Sequence, residues 1–280
     1  MNNIYFDDAT QENLQSPLIY NIIPVYHSRI DTFEHIHWHN AIEISYVIDG
    51  EIEYLCDMDN FVAKPTDIAI INSNRIHSCK STGKKGTICY LIVHNRFLER
   101  YGVDLSGVSF SHLIQNDEQL KNLFTQIIHE IENKPLCYKS VIHAKTLEIA
   151  VYIARKYSAD NMDSIDISDH SKKLLLAKRA IAYVYSHYES AIKIDDIANE
   201  LSVSKCHLCR VFKAVTAQTL TEYINSYKVL KARDILKSGG YTASEVSAML
   251  NFSSPSYFYR VYKKHIGHSP SQDLAKSSPI

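Results

Sequence analysis

Residues 197–213 read IANELSVSKCHLCRVFK, and residues 246–263 read VSAMLNFSSPSYFYRVYK. IANELSVS aligns with VSAMLNFS at an offset of 49, and CHLCRVFK with SYFYRVYK at an offset of 50, so the second copy carries one extra residue between its halves. An internal repeat of this length marks a duplicated supersecondary unit. In each copy an apolar-periodic stretch, a short turn and a second periodic stretch follow one another, which is helix-turn-helix order. Ser204 stands where the second helix of the first copy needs an N-cap, and Ser253 or Ser254 does so in the second.

At 100° per residue, Leu208, Val211, Phe212 and Val215 fall on one side of the second helix in copy one, as do Phe258, Val261 and Tyr262 in copy two. Those faces pack inward. The opposite face shows Cys206, Cys209, Arg210 and Lys213 in one copy and Ser256, Tyr259, Arg260 and Lys263 in the other, with Lys205 and Tyr257 at the helix starts. Such a face suits a helix laid in the major groove of double-stranded DNA, where Arg binds guanine O6 and N7 bidentately and Lys neutralises phosphate. Tyr257 has two roles open to it, stacking on sugar or base and bracing the turn.

The rest of the chain agrees with this division of labour. Residues 171–280 hold 16 Lys and Arg against 8 Asp and Glu, leaving 14 against 23 for residues 1–170. The near-neutral total therefore conceals a basic half that faces a polyanion and an acidic half with another task. At 280 residues the chain is long enough for two domains. It has no apolar run near the roughly 18 residues a membrane span requires, nor a basic-then-apolar leader, so the expected location is the cytoplasm, with no membrane partner. The six cysteines, at 56, 79, 89, 137, 206 and 209, are expected to be thiols.

Residues 175–275 resemble the DNA-binding domain of the AraC/XylS family of bacterial transcription regulators. The match is carried by IANELSVSKCHLCRVFKAVT, by the connecting EYINSYKVLKARDIL, and by VSAMLNFSSPSYFYRVYKKHIGHSP with its Gly267-x-x-Pro270 closure. The resemblance implies two helix-turn-helix units joined by a long helix. Three positions depart from the family pattern: Asn251 and Ala217 stand where Gly is usual, and Lys228 where Arg is frequent. Asn tolerates the left-handed conformation; Ala217 is expected to alter a helix C-terminus.

Within that frame the Cys-x-x-Cys of CHLC has three readings. No second cysteine pair lies nearby to complete four zinc ligands. A redox pair is better placed, since a helix N-terminus with Lys205 and Arg210 lowers a thiol pKa. The reading that asks least makes Cys206 and Cys209 two small side chains on the groove-facing surface.

Ahead of the repeat, residues 18–94 are rich in Ile, Val and Tyr, alternate in AIEISYVIDGEIEYL, and carry an Asp49-Gly50 hairpin signal, so they read as strands. From 116 to 158 the period becomes helical, interrupted at Pro135. The polar segment 158–171 has no period and reads as a linker. In HIHWHNAIEISYVIDG, residues 35–50, alternation places His37, His39 and Glu43 on one face and Trp38, Ile42, Ile44, Tyr46 and Ile48 on the other. The spacing His-x-His-x3-Glu-x6-Gly resembles the first metal motif of the cupin β-barrels. KPTDIAIINSNRIH, ending at His77, resembles the second, with Thr66-Asp67 where Gly-Asp is typical. Three His and a carboxylate suit Fe, Mn, Ni or Zn. In AraC-type regulators, however, the resemblance implies a barrel that binds a small effector, often a sugar, with such histidines lining the pocket without metal.

The resulting expectation is an α+β multidomain protein. Residues 1–158 form a cupin-like β-barrel with two following helices that binds effector and dimerises. Residues 159–172 form a linker, and residues 173–280 an all-α double helix-turn-helix domain whose recognition helices enter successive major grooves about 34 Å apart. His37, His39, Glu43 and His77 are expected to bind a small effector, a sugar or related metabolite, on adjacent strands, with neither metal nor cofactor, in a homodimeric regulator that is not an enzyme. The alternatives are a metal-dependent cupin enzyme with a DNA-binding tail, a redox-sensing regulator using Cys206 and Cys209, and an architectural DNA-binding protein.

Overall fold

The structure, a computed structural model, describes residues 17–27, 35–105, 107–159 and 170–274. Contacts divide it into two units: 17–27 with 38–159, and 35–37 with 170–274. Most of the expected linker, residues 160–169, lies outside the described residues.

The first unit runs β1 (Leu18–Tyr26), β2 (Ala41–Asp49), β3 (Ile52–Cys56), β4 (Asp59–Ala63), β5 (Ile68–Ile71), β6 (His77–Ser81), β7 (Lys85–His94), α1 (Asn95–Glu99), β8 (Ser109–Phe110), β9 (Leu113–Ile114), α2 (Glu118–Asn133), α3 (Tyr138–Lys156) and β10 (Ser158–Ala159). The strands form a five-stranded sheet in the order β1-β7-β2-β5-β9, a three-stranded sheet β4-β3-β6 and a short β8-β10 pair. The sheets stay separate, so the barrel is open. The Asp49-Gly50 turn, expected to close a hairpin, instead carries the chain from one sheet to the other, because β2 pairs with β5 and β7 while β3 pairs with β4 and β6. Gly50 is required there: its φ is +74°, and a Cβ would come within 2.8 Å of Gly86 Cα.

β2 is buried from Ala41 to Val47 because both its faces are covered. Ile42, Ile44 and Tyr46 join Leu91 and Val93 of β7 and Phe124 and Ile127 of α2 in one apolar cluster, with the Tyr46 and Phe124 rings stacked at 5.3 Å. Glu43 and Ser45 point the other way. Asp117 fixes the helices above the sheet. Its Oδ1 accepts from Leu120 N at 2.9 Å as the N-cap of α2, and its Oδ2 accepts from the Tyr157 and Tyr152 hydroxyls and Lys156 Nζ at the far end of α3. Burial would raise this carboxyl; the four donors, Tyr157 foremost, hold it well below the usual carboxylate range.

The second unit is helical: α4 (His170–His187), α5 (Ile194–Glu200), α6 (Lys205–Thr216), α7 (Leu220–Ser238), α8 (Ala243–Met249), α9 (Pro255–Ile266) and α10 (Ser271–Leu274). The α5–α6 and α8–α9 pairs are the two copies of the repeat. Ser204 Oγ accepts from His207 N and Ser254 Oγ from Tyr257 N, so Ser254 is the cap in the second copy, with Pro255 at the first helical position. The turns match as well: Ser202 (φ 55°) and Asn251 (φ 49°) are both left-handed, and α6 and α9 end on left-handed Ala217 (φ 57°) and Gly267 (φ 86°). On α7, Lys228 is buried and donates to Ser190 O at 2.7 Å and Leu250 O at 2.8 Å. Burial lowers its pKa to about 8. His35 packs on the same helix, 4.6 Å from the Tyr223 ring, and its Nε2 donates to Ser226 Oγ at 3.1 Å. Ser226 in turn gives its own proton to Tyr223 O.

Candidate functional site

Within the first unit, Glu43 on β2 and His77 on β6 face one another from different sheets. The expectation of adjacent strands is therefore corrected: the two motifs meet across the interior, because the chain after β5 crosses at residues 72–76 into the second sheet. His39 precedes β2 and reaches the same point. Glu43 Oε2 lies 3.4 Å from His77 Nε2 and 3.7 Å from His39 Nε2. His39, Glu43 and His77 thus come together within the first unit, all three buried, while His37, buried as well, belongs to the second unit.

Backbone carbonyls orient the rings. His37 Nδ1 is 2.9 Å from His35 O, His39 Nδ1 3.1 Å from Ala41 O, and His77 Nδ1 2.8 Å from Arg75 O. A carbonyl oxygen only accepts, so each ring carries a proton on Nδ1. The Ala41 N–H also approaches His39 Nδ1, but at 3.4 Å; the shorter carbonyl contact sets the tautomer. Burial lowers the His39 pKa, against the hydrogen bond to Glu43, which raises it. Burial would raise Glu43, but His39 and His77 outweigh it and hold the carboxyl well below its ordinary value. The His39 and His77 rings thus meet one buried carboxylate.

Sequence reasoning missed the groups around them. Ser45 Oγ donates to Glu43 Oε1 at 3.1 Å. Tyr90, cross-strand partner of Ser45, is raised by burial and then by the Glu43 charge, as is Tyr54 on β3, where Cys79 adds to the effect. His94 falls to about 4 through burial, His39 and Arg96. Ser45 was available from the period of two after Glu43; the tyrosines required knowing which strands face each other.

In the second unit, α6 and α9 bury Leu208, Val211, Phe212 and Val215, and Phe258, Val261 and Tyr262, as the helical period demands. Cys206, Arg210, Lys213, Ser256, Tyr259, Arg260 and Lys263 are exposed and Cys209 is half-buried. Lys205 is exposed too, and its Nζ pairs with Asp195 at 2.8 Å. Tyr257 is half-buried: its hydroxyl accepts from Asn225 Nδ2 at 2.8 Å, and the Arg260 guanidinium lies 5.2 Å from its ring centroid. Among the described residues, the two thiols join no group of three or more metal-ligating side chains.

Residues 197–276 match the model of a helix-turn-helix domain, and residues 26–137 that of an AraC-like ligand binding domain. The chain belongs to the AraC family of transcription regulators. Its relatives include the HTH-type transcriptional regulator YdeC of Bacillus subtilis, 24% identical over 84% of each chain. The melibiose operon regulatory protein of Escherichia coli is 19% identical over 84% of this chain and 82% of that one. The crystal structure of apo ToxT from Vibrio cholerae superposes with a TM-score of 0.51 over 94% of this chain and 98% of that one, at 14% identity, a likeness of fold. As an AraC-family regulator the chain binds DNA through its helix-turn-helix domain and a small-molecule effector through its ligand-binding domain. Such relatives regulate transcription; they are not enzymes. No helix among the described residues of this AraC-type chain is long and apolar enough to cross a membrane.

Proposed function

We propose that this regulator switches transcription in response to a small polyhydroxylated effector, a sugar or related metabolite, held by His37, His39, Glu43 and His77. Residues 1–158 dimerise through α2 and α3. Residues 173–280 place α6 and α9 in successive major grooves about 34 Å apart, with Lys205, Cys206, Cys209, Arg210 and Lys213, and Ser256, Tyr257, Tyr259, Arg260 and Lys263, against the DNA. The supporting observation is a buried carboxylate, Glu43, set between His39 and His77 in an otherwise apolar interior: such polar groups suit sugar hydroxyls, which both donate and accept at fixed spacing. A relative named for the melibiose operon, matched over 82% of its length, makes a carbohydrate the natural class to test first.

The test is Glu43→Gln, which keeps the side-chain volume and removes the charge. A hydrogen bond to a charged group contributes about 1.5–3 kcal/mol, so the sugar concentration for half-maximal response should rise at least about tenfold. Operator affinity without sugar should stay within about twofold. Protection of promoter DNA against a panel of mono- and disaccharides, melibiose among them, reads both. A variant that responds like the parent would remove these residues from effector recognition.

A further inference from the structure

We infer that Asn72 is a positioning residue, which ties the segment holding His39 and His77 to the strand pair from which the chain leaves the first unit. The inference rests on the reading of His39, Glu43 and His77 as the effector site and names the residue through which that site acts. β9 pairs with β5 at Ile68–Ile114 and Ala69–Leu113, and Ile70 N donates to His112 O at 2.9 Å. β5 then stops at Ile71, where the backbone turns toward the second sheet. The Asn72 side chain supplies the next rung in its place: Nδ2 donates to Phe110 O and Oδ1 accepts from Phe110 N, both at 2.8 Å. A carboxamide can do this because it carries the donor and the acceptor of a peptide group. Asn72 and Phe110 are both buried, so without the amide the N–H and C=O of Phe110 would be left unmet at a cost in free energy.

The two sides of Asn72 lead to different ends of the unit. On one side its carbonyl accepts from Arg75 N at 3.3 Å, and within the same crossing Asn74 N donates to His39 O at 2.8 Å. Arg75 O accepts from His77 Nδ1 at 2.8 Å, so the backbone of the crossing holds two members of the cluster. On the other side, Phe110 belongs to β8, which pairs with β10 at Phe110–Ser158 and Ser109–Ala159. Phe110 turns its N–H and C=O to Asn72, and the alternation of an antiparallel ladder therefore leaves Ser109 and Ala159 to exchange the bonds between β8 and β10. β10 ends at Ala159, and from there the sequence runs on to α4. A displacement of His39 or His77 by a ligand thus reaches the last strand of the first unit through one carboxamide.

Hydrogen exchange of the full-length protein, read at the Ala159 amide, tests this in a double-mutant cycle of Asn72→Ala and His77→Ala. His77→Ala removes the ring bonded to Arg75 O and so loosens the crossing from the side of the cluster. Each single variant should speed exchange at Ala159 at least about fivefold, and the double variant no more than the faster of the two. The Phe110 amide would speed up in Asn72→Ala for local reasons alone, which is why the readout lies one strand further on. Amides of Leu91 and Val93 in β7 should keep their parental protection, separating a loosened exit from a loosened domain. Asn72→Asp keeps an acceptor for Phe110 N and loses the donor to Phe110 O; it should move Ala159 in the same direction, and it replaces Asn72→Ala if that variant does not fold. Parental exchange at Ala159 in either single variant, or effects that multiply in the double variant, overturns the inference. Failure of the effector reading looks different: Ala159 responds as expected, yet Glu43→Gln leaves the sugar response of DNA protection at its parental level. The tie through Asn72 then stands while the assignment of the effector falls.

Discussion

The Arg260 guanidinium lies over the Tyr257 ring, and Asn225 holds the Tyr257 hydroxyl from behind, so the exposed cation stands on a braced support. Arg210 has a looser neighbour, His207 Nδ1 at 3.4 Å. If these arginines read base edges, Arg210→Ala or Arg260→Ala should each cost about 1–3 kcal/mol of specific binding and relax preference at one base pair. Lys263→Ala should weaken all sequences alike and reduce the salt dependence by about one phosphate contact. Binding of the operator and of its single-base variants, measured at two salt concentrations, separates the outcomes. Parental affinity and preference in both arginine variants would mean that another face of α6 and α9 meets the DNA. The Lys205–Asp195 pair is exposed on both sides and contributes little to stability, so exchange of the carboxylate for a phosphate is inexpensive.

At the scale of the element, α6 and α9 end alike, on a residue with positive φ, but α6 does so on Ala217. A Cβ in the left-handed region costs about 1–2 kcal/mol, and the extra freedom of glycine in the unfolded chain offsets about 0.5–1 of that. Ala217→Gly should therefore stabilise the helical unit by about 0.5–1 kcal/mol, and Gly267→Ala should destabilise it by a similar amount; thermal denaturation reads both. Destabilisation by Ala217→Gly would sink the argument. The recognition helices, their serine caps and the left-handed Asn251 were legible in the sequence because each depends on residues within one or two turns. Strand pairing was not. AIEISYVIDGEIEYL alternates on both sides of Gly50, yet its halves belong to different sheets, since a period of two fixes which face a side chain takes and not which strand lies beside it. The same limit applied to the His/Glu cluster, whose spacing was visible while Tyr54 and Tyr90, brought in by other strands, were not.

For the whole molecule, the consequence lies in the duplication. The two copies share a frame but not a face: the first offers Cys206, Cys209, Arg210 and Lys213, the second Ser256, Tyr259, Arg260 and Lys263. Two symmetry-related subunits reading with one identical helix each would prefer a palindrome, which looks the same from either end. If α6 and α9 both meet the DNA as proposed, one chain with two unlike helices reads a sequence that has a head and a tail. Each bound chain would consequently point along the promoter, like an arrow, and present one particular flank to whatever lies beside it, whatever the symmetry of a dimer that carries it. Reversing the site of a single chain in place, with the centre held fixed, should leave that chain's affinity unchanged while the arrow turns round. Transcription from the reversed promoter should then fall, although a footprint shows the protein bound as before; equal output in both orientations would mean that the two helices are read as one.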